Sequence, residues 1–399
     1  MRIGIDAHVL GKGIGGVEQV LRHVVALLPV ISSQHDYVIF LNRRAAHNIP
    51  FKLAPNALVV PLAISNPLIE RSLILPWLVR RHRLDALIVQ RLSPWLCGNC
   101  KLVLTIHDIT PLKFPLQYRG LTNQLIRKLT SSSVRRAQLI LTPSQTIADE
   151  VKVRFGVDKT PVLPFYNGVD GNHFAPDSGN PRSLRLLEGY GIHKPYILVA
   201  GAIEARKNLE TIYRSVREVA DSVPVQLVLT GLVRDRVYES ELANLADSLD
   251  LTPCIRKLGF VDADTLLALY QNADVFVTAS RDEGFNLPPL EAMACGTPVI
   301  CSDIPVHREL FNNCARFFTV NSPEALASHI LEVLTLPTSS DVLREAARAR
   351  AASLTWQSTS KRIAAAFEET FAAGATGCHR SLLETGARVR CNRRHQTPN

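Results

Sequence analysis

The chain has 399 residues, 46% of them hydrophobic and 20% charged, and a formal net charge of +9. That length and composition fit a folded protein of two α/β domains and exclude a disordered one. Only eight cysteines argue against a disulfide scaffold, and Glu70 and Arg71 break the best apolar stretch, Leu62–Val79, too early for a membrane span.

The charge is uneven. Residues 1–175 hold 21 Lys+Arg against 10 Asp+Glu (+11), residues 176–375 hold 19 against 25 (−6), and the remainder 5 against 1 (+4). A basic first half attracts phosphate on nucleic acid, on an anionic membrane or on an anionic acceptor, and charge alone does not choose.

In chain order, Met1–Asp6 reads as a first strand and not as a secretory leader, because an acid falls inside the run; a cytoplasmic location follows. The loop Gly11-Lys12-Gly13-Ile14-Gly15-Gly16 then satisfies G-x-G-x-x-G before a helix over Val17–Leu28, as in dinucleotide-binding folds. The acid expected after the second strand is missing, since Tyr37–Leu41 runs into Asn42-Arg43-Arg44. Those arginines could serve NADP, but nothing downstream supplies hydride chemistry.

Strands follow at Ala86–Val89, Leu102–Ile106 and Leu139–Pro143, with a helix over Gly120–Ala137. Cys97-Gly-Asn-Cys100 has metal-hook spacing but no second pair to complete a site, so it is read as structural or incidental. The basic segments Leu78–Arg83 and Arg119–Arg136 fit either an anionic membrane surface or an ordinary solvated helix face. No nucleic-acid module or aromatic platform accompanies them.

Residues 171–194, rich in Gly, Pro, Ser and Asn, read as a linker. Beyond them the alternation restarts with strands Tyr196–Ala200, Val225–Thr230, Ile255–Leu258, Val275–Thr278 and Val299–Cys301. Between these fall helices Leu209–Ala220, Tyr238–Leu249, Ala263–Asn272 and Pro289–Ala294. Two such runs predict two doubly wound domains with parallel sheets. A last helix opens at Trp356 and runs to about Phe371, and the basic tail beyond it has no periodicity and reads as disordered.

The sharpest constellation is Arg281-Asp-Glu283-Gly-Phe-Asn-Leu-Pro-Pro-Leu-Glu291-Ala-Met-Ala-Cys-Gly-Thr-Pro298. It joins a strand end to a helix whose first turn is set by prolines, so Glu283 precedes a helix N-terminus that suits a diphosphate, and Glu291 is placed in its first turn. The second is Gly201-Ala-Ile-Glu-Ala-Arg206-Lys207-Asn208. Cations at a helix start oppose the helix dipole, and that mismatch points to a ligand: they can neutralise a pyrophosphate and the charge on a departing nucleoside diphosphate.

With Asn167-Gly168-Val169-Asp170, Ser302-Asp303-Ile-Pro-Val-His307-Arg-Glu309 and His107-Asp108, these motifs make the chain resemble retaining glycosyltransferase family 4, of the GT-B fold, over Met1 to Phe371. The run Ser302–Glu309 and the pair His107-Asp108 resemble its bacterial mannosyltransferase-like members, which build O-antigen and other surface polysaccharides. The resemblance implies two Rossmann-like domains facing across a cleft, with the last helix returning to the first. The division would be 1–175 for the acceptor, 176–355 for the nucleotide sugar, a crossover helix at 356–373 and a tail at 374–399.

It further implies a hexosyltransferase that needs no cofactor and no metal. Glu283 would contact the transferred sugar, Glu291 the ribose, and Arg206 and Lys207 the diphosphate. The amides of Phe285, Asn286 and Leu287 would cover sugar and phosphates, with Asn286 standing where many members carry glycine. Gly201 would border the phosphates, Gly15 and Gly16 would let backbone approach the donor, and His107, at a strand end, would point at the sugar.

Partners would be a nucleotide-diphosphate sugar, GDP-mannose by resemblance, and a glycan or polyprenyl-diphosphate-linked acceptor. Nucleic acid would be no partner. The protein would sit in the cytoplasm, or peripherally on the inner face of the plasma membrane. A nucleotide-sugar epimerase or hydrolase of the same fold, or a non-catalytic nucleotide-sugar-binding subunit, remains open on these motifs.

Overall fold

The computed structural model describes residues 1–11, 15–47, 49, 52–62, 69, 73–113, 121–177, 181–336 and 341–372. The first sheet contains β1 (Arg2–Asp6), β2 (Asp36–Asn42), β3 (Ala57–Leu62), β4 (Ala86–Gln90), β5 (Lys101–Thr105), β6 (Leu139–Thr142) and β7 (Val162–Pro164). The second contains β8 (Tyr196–Ala200), β9 (Gln226–Thr230), β10 (Ile255–Gly259), β11 (Val275–Thr278), β12 (Val299–Ser302) and β13 (Arg316–Phe318). Their orders are β3-β2-β1-β4-β5-β6-β7 and β10-β9-β8-β11-β12-β13, and every pairing is parallel.

The central strands are near-continuous apolar runs because helices cover both faces; Ile197, Leu198, Val275, Phe276 and Val277 are fully buried. In each sheet the strand order reverses beside the earliest strand, between β1 and β4 and between β8 and β11. That switch point opens a crevice at the carboxyl ends of the strands, where ligands of such sheets bind.

The last helix, Trp356–Ala372, returns to the first domain and packs on helix Gly16–Ile31. His23 stacks on Trp356 at 4.4 Å, and Glu368 accepts from Gln34 at 2.7 Å and His35 at 2.8 Å. The Asn167–Asp170 motif is where the two chain segments cross: Val169 N donates to Leu354 O at 2.9 Å. Gly168 is required there, because a Cβ would lie 2.2 Å from the Thr355 carbonyl carbon.

Several elements depart from the sequence reading. The stretch read as a linker contains helix Pro181–Gly189. The strands β3, β7 and β13 were not read: β3 is an edge strand carrying Pro61, and the other two have three residues each, too few to show a period. Helices at Gln145–Phe155, Pro305–Phe311, Pro323–Thr335 and Asp341–Ser353 were also missed. The expected tail and Lys12, Gly13 and Ile14 lie outside the described residues. Among the described residues no helix is long and apolar enough to cross a membrane.

Candidate active site

The turn after β8 and the loop after β11 are built against each other. A short 3-10 turn, Ala205–Lys207, ends at Asn208, whose φ of 56° is the left-handed conformation that asparagine tolerates. Buried Asn208 donates to Ala279 O at 3.1 Å, and Arg281 N donates to Arg206 O at 3.0 Å, so both segments form one rigid floor.

On that floor Arg206, Lys207 and Glu283 meet directly. Arg206 Nη1 lies 2.5 Å from Glu283 Oε2, and Lys207 Nζ lies 2.7 Å from Glu283 Oε1. Ser280 Oγ donates to the same carboxylate at 2.8 Å, while Glu204 holds the other side of Arg206 at 2.6 Å. Burial alone would raise the Glu283 carboxyl, but Arg206 and Lys207, with the Lys207 and Ser280 hydrogen bonds, hold it far below the usual carboxylate range. Arg206 is held charged by Glu283 and Glu204 against its own burial. The result is a locked ionic cluster at the mouth of the switch point, with the Gly201 backbone beside Lys207.

Glu291 stands apart from this cluster. The helix is Leu287–Ala294, starting two residues earlier than read from the sequence, so Glu291 falls in its second turn and not its first. Its carboxylate accepts from Tyr270 Oη at 2.7 Å, and burial pushes it up to about 7 despite that hydrogen bond. Asn286 precedes the helix at φ 74°, and no side chain caps the helix start, which leaves the amides of the first turn unspent by a cap. The Asn286 side chain is turned inward, donating to Thr278 Oγ1 at 3.1 Å and meeting His307 Nε2 at 3.0 Å. His307 Nδ1 in turn meets Ser302 O at 2.9 Å, which assigns the proton to Nδ1. Burial holds His307 neutral, with its pKa lowered to about 4. Asparagine thus supplies the backbone freedom of a glycine and adds a brace. Phe285 and Leu287 are buried beside it.

The first domain meets this loop at the end of β5. A Cβ on Gly284 would lie 1.9 Å from His107 O, so only glycine permits this approach. Ser144 Oγ donates to Gly284 O at 2.8 Å. The half-buried His107 ring meets Gln90 Oε1 through Nε2 at 2.7 Å and packs edge-on to Phe165; burial lowers its pKa to about 4. Gly16 and Gly15 face the second domain, 3.7 Å from Leu287 and from Arg234 when a Cβ is placed on each.

Sequence reasoning missed further residues. Asp282 reaches across the cleft to Lys113, and Glu309 accepts from Gln145 N at 2.6 Å and Thr146 N at 2.7 Å, capping an N-domain helix from the other domain. Asp282 and Glu309 each lie within a run that the sequence singled out, Arg281–Pro298 and Ser302–Glu309, but their partners Lys113, Gln145 and Thr146 carried no signal, because these pairings join distant segments. Cys97 and Cys100 are free thiols at the start of β5, the end of the sheet away from the cleft.

Two parallel α/β domains joined across their strand ends, with a returning terminal helix, define the GT-B class of glycosyltransferase folds. Solved structures share it. Sucrose-phosphate synthase from Thermosynechococcus elongatus superposes with a TM-score of 0.74 at 19% identity, covering 94% of this chain and 100% of that one. Anabaena Alr3699/HepE in complex with UDP and glucose gives 0.72 at 18% identity, covering 92% and 100%.

The chain belongs to glycosyltransferase family 4: the model "Glycosyltransferase Family 4" matches residues 14–173 and "Glycosyl transferases group 1" matches 190–350. The O-antigen chain mannosyltransferase RfbU of Salmonella typhimurium is 29% identical over 279 residues, 65% of this chain and 74% of that protein. O-antigen chain mannosyltransferase B of Escherichia coli is 30% identical over 258 residues, 63% of this chain and 64% of that protein. The serotype-specific mannosyltransferase WbdA of Escherichia coli is 29% identical over 274 residues, and the match spans only 32% of its length.

Proposed function

We propose that this glycosyltransferase moves a hexose, mannose from GDP-mannose, onto a glycan or polyprenyl-diphosphate-linked acceptor in surface-polysaccharide synthesis, with retention and without a metal. The observation that carries the reading is the Arg206–Lys207–Glu283 cluster at the strand ends, beside an uncapped helix start. Mannose rests on the names of the relatives alone. In this reading residues 176–355 bind the donor and 1–175 the acceptor, and the protein works in the cytoplasm.

The chemistry follows from the charges. The bond from anomeric carbon to phosphate oxygen breaks, the acceptor oxygen bonds the same face of that carbon, and its proton passes to the departing phosphate. Arg206, Lys207 and the amides of Phe285, Asn286 and Leu287 stabilise the growing negative charge. Glu283 accepts from sugar hydroxyls and Glu291 from the ribose. His107, neutral above about pH 4, lies on the acceptor side of the Glu283 loop.

For the acceptor's anionic group or an anionic membrane, the fitting surface is an open groove of about 600 Å³. Gln124, Arg127, Lys128, Ser131, Arg135, Arg154 and Phe155 line it, with no acid among them.

Thermal-shift screening against GDP, UDP and ADP identifies the base, and NMR of the product made from the matching sugar nucleotide reads the anomer. Inverted product refutes retention. Donor consumed at the same rate without acceptor identifies a hydrolase instead.

A further inference from the structure

We infer that Lys113 is a positioning residue for Glu283, acting across the cleft through Asp282. This rests on Glu283 being the sugar-contacting acid. All hydrogen-bond and ion-pair partners of the Glu283 carboxylate among the described residues, Arg206, Lys207 and Ser280, belong to the second domain. The first domain therefore governs it only through its neighbours in the chain.

Those neighbours are held on both sides. Lys113 Nζ, at the end of the short helix Thr110–Lys113, lies 2.5 Å from Asp282 Oδ1 and 2.5 Å from Glu150 Oε1. Thr110 Oγ1 adds a longer bond of 3.4 Å to the other Asp282 oxygen. The Asp282 carbonyl meanwhile accepts from Arg206 Nη1 at 2.6 Å. One residue thus faces Lys113 with its side chain and the diphosphate cation Arg206 with its backbone. On the far side of Glu283, Gly284 is seated on His107 O and held by Ser144.

Lys113 is not a loose surface lysine. Its side chain is 27% exposed and that of Asp282 13%, and Glu150 anchors the ammonium within its own domain. A cation fixed in the first domain and a carboxylate one residue from Glu283 form a strut between the domains, whose Coulomb term is less screened than at an exposed pair. Loss of the strut should let the Glu283 peptide drift while Arg206 and Lys207 stay in place.

The test compares Lys113→Met, Lys113→Arg and Asp282→Asn, using GDP and UDP as binding probes and GDP-mannose and UDP-glucose as donors. For Lys113→Met and Asp282→Asn we expect kcat to fall about ten-fold or more, with donor KM and calorimetric nucleotide affinity within about three-fold of wild type. Lys113→Arg should recover most of the rate. Amide exchange over residues 281–287 should accelerate in Lys113→Met and not in Lys113→Arg. An unchanged kcat, or a loss of nucleotide affinity in step with kcat, overturns the assignment. If the wild type transfers no sugar, the proposed function fails separately, and unchanged exchange at that loop still overturns the strut.

Discussion

Replacing Glu283 by Gln keeps the side-chain shape and removes the charge that two cations now share. At 2.5 and 2.7 Å these contacts are as close as ion pairs come, and coupling energies of close, desolvated charge pairs run from about 1.5 to 7 kcal/mol. Most of that is offset by the cost of burying three charges. In the variant Arg206 and Lys207 lose their shared carboxylate, so the nucleotide-free protein should lose stability by up to about 3 kcal/mol. A bound diphosphate would then supply the missing charge.

We therefore expect GDP or UDP to bind the variant about as tightly as wild type or up to about ten-fold tighter, a gain of about 1.4 kcal/mol. The nucleotide-induced rise in melting temperature should exceed that of the wild type. Turnover should fall by about 10² or more through loss of the sugar contact. Calorimetry, thermal melts and initial rates on one preparation decide it. Weaker nucleotide binding, or a kcat within about three-fold of wild type, would refute the competition between Glu283 and the diphosphate.

Glu291 yields a pH dependence. Burial pushes its carboxyl up to about 7, above the ordinary value of 4.5. The folded state therefore favours the protonated form: this group's effect on stability is best below about 4.5 and declines as pH rises through about 7. Nucleotide affinity should run the opposite way, rising through about pH 7 as the carboxylate becomes able to accept from the ribose, and Glu291→Gln should abolish that rise. Gly284→Ala places a methyl carbon only 1.9 Å from His107 O. It should cut transfer by about 10² or more while the second domain still binds nucleotide, and retained transfer would show that the domains need not meet there. Reversing Arg127 and Arg135 to Glu should lower sedimentation with vesicles of anionic phospholipid, most clearly at low salt; binding equal to wild type would exclude the groove.

How much of this was legible in the sequence depends on the range of the interaction. The central strands announce themselves as buried apolar runs, and Gly201–Asn208 and Arg281–Pro298 announce themselves by punctuation that a strand-to-helix turn requires. Helix Pro181–Gly189 was hidden because its nine residues sit among Gly, Pro and Asn and read as linker. The first-turn placement of Glu291 failed because Pro288 and Pro289 occupy the early turn of a helix that begins at Leu287. The Lys113–Asp282 pair joins residues 169 apart in the chain, and Glu309 caps a helix 163 to 164 residues away. No local pattern encodes such distances; they emerge only when two separately wound sheets turn their strand ends toward each other.

A crystal structure with the nucleoside diphosphate bound tests the electrostatic core of the mechanism most directly. The terminal phosphate should lie within hydrogen-bond reach of Arg206 and Lys207, facing the helix that starts at Leu287. A phosphate seated instead on the Gly11–Gly16 loop alone, with Glu283 still locked to both cations, would contradict it.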